Sequence, residues 1–210
     1  SKQFFEEMLC KNLGIHNVVD SDFAMLNDRL AEHYGLTESF RESCRSNETP
    51  NRDFPPEEDR LISVKLPSDS HRGGFITQGA VLKVSANGTT TSPIVRGAYF
   101  LERILDTPPD PPPSNVPAVE PDIRGATTIR EQLDQHRNQT ACAGFHAKLD
   151  PPGFALENYD VTGRWRTHYR IIPESAADKV VKNAGSDVRH YEQGAPVESN
   201  YSLADGRAFE

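Results

Sequence analysis

Apolar residues recur at helical spacing from the start of the chain. Phe4-Phe5, Met8-Leu9 and Leu13 fall on one side, and Gly14 stands where such a helix would stop. A second helix is expected to begin near Asp20 or Ser21, either of which can cap it. It would carry Phe23, Leu26 and Leu30 on one face and end at Gly35 in a left-handed cap. The two read as an antiparallel pair. From Thr37 to Asp59 the chain turns polar and proline-spotted, which reads as loop with at most a short strand around Phe40. Leu61 to Leu66 alternates and reads as a strand. After Gly73-Gly74, the stretch Phe75 to Val84 favours helix, and Asn87-Gly88 is a turn signal.

Ser92-Pro93 supplies a cap and a first-turn proline for a helix whose core-facing stripe would be Ile94, Ala98, Leu101 and Leu105. The run Thr107 to Pro113 reads as a stiff, exposed polyproline spacer. Thr128-Ile129-Arg130-Glu131 is a capping box opening a helix to about His136. Another helix is expected to open at Cys142 to His146. Gly153 to Arg166 reads as a turn followed by a partly helical stretch. Arg166 to Ile171 reads as a strand pairing with the Leu61 segment, and the pattern weakens after Pro173. The sum is a mainly α fold with long irregular loops and at most a small two-stranded sheet.

Composition narrows the functional classes. The 210 residues suffice for one domain or one and a half, with a real core. The net charge of -8, with no compensating basic run, argues against nucleic acid as a partner. No apolar stretch is long enough to span a membrane. The chain opens on Ser1 and reads as an excised piece of a longer protein, so the lack of a visible signal peptide says little about compartment. Three cysteines do not make a disulfide framework. A Cys10–Cys44 bridge stays open, and Cys10 reads most simply as a buried helix cysteine.

The chemistry concentrates at Cys142-Ala143-Gly144-Phe145-His146. Covalent c-type haem uses two thiols that add to the porphyrin vinyl groups and a histidine directly after the second thiol. Positions i, i+3 and i+4 share a helix face. Here those positions are Cys142, Phe145 and His146, with Phe145 where the second cysteine would stand, so one thioether is the maximum. On five residues alone, a buried cysteine near a hydrogen-bonded histidine is the commoner reading. If haem is bound, His146 is the proximal ligand. Met8 and Met25 lie far N-terminal, so His136 and His168 are the nearer candidates for the opposite ligand, though each singly reads as a surface or capping histidine. Bis-histidine ligation would give a lower potential than His/Met.

Other constellations are weaker. Asp150, Glu157 and Asp160 offer oxygen ligands for a hard cation, but their spacing fits no EF-hand and helix capping is the preferred role. Cys142, His146 and His136 lack a fourth ligand for zinc. No Ser/His/Asp arrangement and no phosphate-binding glycine loop occurs. Asn47, Asn87 and Asn138 head glycosylation sequons and read as turn and cap residues.

A wider set of residues resembles one family. His136-Arg137, Cys142 to His146, Leu149-Asp150-Pro151-Pro152-Gly153-Phe154-Ala155-Leu156-Glu157-Asn158-Tyr159-Asp160 and Gly163-Arg164-Trp165-Arg166 resemble the cytochrome-like domain of unknown function in large planctomycete-type secreted proteins. Arg72-Gly73-Gly74-Phe75-Ile76-Thr77-Gln78, Ser85 to Thr89, Thr91-Ser92-Pro93 with Arg96-Gly97, and Asn115-Val116-Pro117 match the same pattern. In that family the central motif normally reads Cys-x-x-Cys-His, and Phe145 is the departure.

The resemblance implies a cytochrome c-like helical domain over 37–172. Residues 1–36 would be the helical end of a preceding domain, and 173–210 an irregular tail leading into a following one. It also implies a bacterial, extracytoplasmic, multidomain parent, with neighbouring domains of the same polypeptide and a redox protein as partners. It implies no known reaction. The expected function is an electron-transfer module with a degenerate haem c site. The alternatives are a cofactor-free interaction or scaffold domain that keeps the fold and, more remotely, a peroxidase-like oxidoreductase.

Overall fold

The computed structural model describes residues 1–46, 61–86, 88, 90–109, 140–171, 192–202 and 208–209. Packing divides the chain into two compact units. The first comprises Ser1–Val84 with Thr162–Trp165, and the second Ser85–Val161 with Arg166–Glu210. These units are defined by packing, whereas the expected borders at 36/37 and 172/173 are borders of sequence modules. The fold is mainly helical, as expected.

In the first unit, α1 (Lys2–Cys10) buries Phe4 and Met8. Phe4 stacks on Phe23, with ring centroids 5.0 Å apart and planes within 16°. The second helix begins later than expected. Phe23–Leu26 is a strand, β1, and only Asp28–Tyr34 is helical, α2. The cause is local. The Ser21 hydroxyl donates to the Phe23 carbonyl at 2.8 Å and accepts from the Gly74 N–H at 2.9 Å. Such side-chain bonds hold the entry extended and compete with a helix. The cap passes instead to Asn27, whose side chain accepts from the Leu30 N–H at 2.9 Å. Gly35, with φ of 71°, closes α2 in the expected left-handed cap.

The strand β1 pairs antiparallel with β2 (Ile62–Lys65), from Phe23 opposite Lys65 to Leu26 opposite Ile62. This corrects the expected pairing of the Leu61 segment with Arg166–Ile171. Thr37–Ser46, expected as loop, is a helix, α3. It is nearly all polar, and Phe40 is its one apolar anchor, packing on the buried cluster of Leu26, Ala31 and Val64. The rest of that expected loop, 47–59, lies outside the described residues. Phe75–Val84 resolves into a turn followed by a short helix, α4 (Gly79–Val84), which buries Val81 and Leu82. Arg72 holds this region together. Its guanidinium donates to the Thr77 and Gly163 carbonyls and lies 3.6 Å above the Tyr34 ring centroid. Cys10 is exposed rather than buried, and Cys10 and Cys44 are both free thiols.

In the second unit, α5 (Pro93–Arg103) starts as the sequence indicates, with Ser92 accepting from the Val95 N–H at 3.3 Å. Its buried face is not the expected stripe. Pro93, Arg96 and Gly97 are buried, Ile94, Ala98 and Leu101 are half-buried, and Leu105 is 51% exposed. The cause is the partner helix, α6 (Thr140–Ala155). Gly97 lies directly against the Leu149 carbonyl and Gly153 against the Pro93 carbonyl, so a Cβ at either glycine would collide with backbone. The two helices therefore meet backbone to backbone along the glycine face.

The expected turn at Gly153 is part of α6, which continues through Pro151 and Pro152 to Ala155. Those prolines remove two donors from its ladder. After it, β3 (His168–Ile171) pairs antiparallel with β4 (Glu192–Pro196) across an irregularity between His168 and Arg170. Two short strands, β5 (Tyr201–Ser202) and β6 (Ala208–Phe209), also pair. Among the described residues three two-stranded ribbons thus stand in place of the single small sheet expected, and the tail after Pro173 is not wholly irregular. The expected helix at Thr128–His136, the proline run beyond Pro109, and Asn47, Asn87 and Asn138 lie outside the described residues. Among the described residues no helix is long and apolar enough to cross a membrane.

Candidate functional site

Positions 142, 145 and 146 all fall within α6. His146 is 2% exposed, and its Nδ1 lies 2.9 Å from Oδ1 of Asp150, which is fully buried. The two residues are one helical turn apart, which makes them neighbours on one face. A carboxylate accepts, so the Nδ1–H of His146 is the donor in this pair. Metal-bound histidines typically pass their other ring N–H to a carboxylate, carbonyl or water. A histidine held in this way has the donor chemistry of a metal ligand, and position 142 lies earlier in the same helix. The attachment chemistry is one thiol short at Phe145.

The other candidate ligands do not gather there. His136 lies outside the described residues. His168, half-buried on β3, has its Nδ1 3.0 Å from the Thr167 hydroxyl, and no described contact joins it to His146. Met8 packs with Phe4 and Phe23 in the first unit, and Met25 lies against that cluster. Asp150 is engaged apart from Glu157 and Asp160, which both meet Arg96. Asp150 engages His146, Glu157 engages two arginines, and Asp160 offers its main-chain carbonyl to Arg96 at 3.0 Å. Among the described residues no group of three or more His, Cys, Asp or Glu side chains could hold a metal ion.

The sequence reading missed a second buried polar cluster. Arg96, 1% exposed, projects from α5 into the turn that follows α6. Its Nη1 donates to the Leu156 carbonyl at 2.8 Å and the Tyr159 carbonyl at 2.6 Å. Glu157, fully buried, has Oε2 3.7 Å from Arg96 Nη1 and Oε1 2.7 Å from Arg166 Nη2. The Thr91 hydroxyl donates to Glu157 Oε1 and accepts from Arg166 Nη2 at 2.8 Å. Burial pushes the Glu157 carboxyl up from the ordinary glutamate value, and the two arginines and Thr91 oppose that shift. Desolvation likewise lowers Arg96 to about 10, against the pull of Glu157. One signal was present in the chain: Arg96 is a lone charge in the otherwise apolar run Pro93-Ile94-Val95-Arg96-Gly97-Ala98.

Residues 72–169, just under half of the chain, match the family model PSCyt3, a protein of unknown function (DUF1588). The resemblance to a planctomycete-type domain of unknown function therefore holds over this stretch. The match begins at Arg72, includes α4, α5 and α6, and takes in Arg96, Cys142, His146, Asp150, Glu157 and Arg166. No curated protein and no solved structure matches the chain.

Proposed function

We propose that the α5–α6 region is a c-type cytochrome-like electron-transfer module, in which His146 would ligate the iron and Cys142 would be the single covalent anchor. One observation carries this reading. The histidine at the iron-ligating position of the motif is buried, and its Nδ1 is held by the Asp150 carboxylate, as a metal-bound histidine usually is. A bound haem would supply reversible one-electron chemistry at the iron. The protein's own contribution is to fix the imidazole tautomer, shield it from water, and tether the porphyrin edge through one sulfur. Attachment of this kind belongs to an extracytoplasmic compartment, in keeping with an exported multidomain parent and a redox protein as partner.

The test is to export the chain alongside haem-attachment machinery. The purified protein should absorb in the Soret region and keep its haem on a denaturing gel. Cys142→Ala should abolish the covalent fraction, and His146→Ala should change the spectrum.

A second reading has its own support. Phe145 removes one attachment thiol, and the Arg96–Glu157–Arg166 cluster joins α5 to the segment after α6 through protein groups alone. A cofactor-free interaction or scaffold domain would need nothing more. Folded but colourless protein from the same experiment would establish that reading and end the first.

A further inference from the structure

We infer that the first unit holds a binding site for a small, uncharged aromatic molecule with one polar substituent, in a cavity along β1. This site is independent of the haem reading. The cavity measures about 200 Å³ and is bordered by all four β1 residues, with Phe4, Leu30, Tyr34 and Gln78 around them. Well-packed interiors keep few voids larger than a water molecule. An apolar cavity of about 150 Å³ is enough to take up benzene, whereas sites for drug-sized ligands start at about 300 Å³. The space here therefore admits a single substituted ring.

The walls are preformed. Phe4 and Phe23 stack on each other and make an aromatic border. Gly74, with φ of 68°, lies against the Val19 carbonyl, and Gly79 lies against the Tyr34 hydroxyl, so neither can carry a side chain that would fill the space. Met25, Leu30 and Tyr34 stay half-buried around it, and they would lose contact with water when a ligand enters. The lining also sets the class of ligand. Aromatic rings and the Met25 thioether favour an aromatic partner. The Tyr34 hydroxyl and the Gln78 carboxamide each donate and accept, which suits one hydroxyl or carbonyl substituent. Arg72 is the one charged side chain among the described lining residues. Its guanidinium already donates to the Thr77 and Gly163 carbonyls and lies over the Tyr34 ring, so a buried ligand charge would have to compete for those donors.

The chain carries its own reporter. It has two methionines, and Met25 lines the cavity whereas Met8 does not. In the whole chain labelled with ¹³C at the methionine methyls, Met25→Leu assigns the two signals. Titration with phenol should move the Met25 signal saturably and further than the Met8 signal. Cyclohexanol, which lacks the ring electrons, and benzoate, which brings a charge, should each bind about 10-fold more weakly. Tyr34→Phe should weaken phenol about 3-fold to 10-fold and leave toluene unchanged. Ala80 lines the cavity and is exposed, so Ala80→Phe blocks the space at little cost to the core and should abolish the Met25 shift. A Met25 signal that stays still in folded wild type at millimolar phenol, or one that moves no more than Met8, would overturn the site. Unchanged binding in Ala80→Phe would overturn its location. Cyclohexanol or benzoate binding as well as phenol would overturn the ligand class. Should Ala80→Phe fail to fold, the comparison of Met25 with Met8 in wild type decides the location alone.

Discussion

At the residue scale the second unit is organised by charge placed where apolar side chains would be expected. Arg96 satisfies the carbonyls of Leu156, Tyr159 and Asp160, which otherwise would be left without its donors in the interior. Arg96→Leu should therefore cost about 3–5 kcal/mol in urea unfolding, the range for breaking one side of a buried ionic network. Glu157 gives a dependence on pH. Its folded carboxyl holds a proton to higher pH than in the unfolded chain, because burial outweighs its arginine partners. Its stability contribution is thus fully present below the unfolded glutamate value and declines as pH rises through the folded value. Unfolding midpoints measured across the mildly acidic range should show that slope, and Glu157→Gln should flatten it. An unaltered slope in the variant would place its origin elsewhere. The sequence made His146 legible through its motif, but not Asp150 as its partner. Periodicity treats Asp150 as a cap, and only the buried helix turn shows the contact.

At the element scale, elements with strong local signals were legible and those formed by tertiary pairing were not. Ser92 with Pro93, and Gly35, marked helix ends that the fold keeps. Phe23–Leu26 has a spacing compatible with a helix, and its partner strand lies some forty residues on, so nothing local reveals the ribbon. Helix α3 was hidden because only Phe40 anchors it. The α5 stripe was misassigned because glycine carries no hydropathy signal, although Gly97 and Gly153 form the helix contact. Gly97→Ala must push α5 away from the Leu149 backbone, since a main-chain carbonyl cannot rotate aside. A loss of roughly 1–3 kcal/mol is expected, as for other overpacked contacts. Thermal unfolding of Gly97→Ala, with Gly144→Ala as a control where a Cβ meets open space, would check this. Equal effects at the two sites would refute the backbone contact.

At the scale of the whole chain, two compact units share 210 residues, and the family match takes in parts of both. Mainly helical architecture was readable from capped stripes, while the division between units was not, because Thr162–Trp165 belongs to the first unit from far along the sequence. The free thiols offer a simple check on the first unit. Cys10 and Cys44 are exposed and unbridged, so both should react with a thiol reagent in the folded protein without reductant. Failure of both to react until reduction would indicate the bridge that this fold lacks.

The proposed electron-transfer role stands on whether Cys142 and His146 bind haem despite Phe145. The direct measurement is peptide mass spectrometry on chain exported with haem-attachment machinery, run beside Phe145→Cys, in which Cys-x-x-Cys-His is restored. Wild type should yield the Cys142 peptide carrying one haem through a single thioether, and the variant should carry haem through two. An unmodified Cys142 peptide from folded, colourless wild type, with the variant loading haem normally, would show that this chain has given up the cofactor.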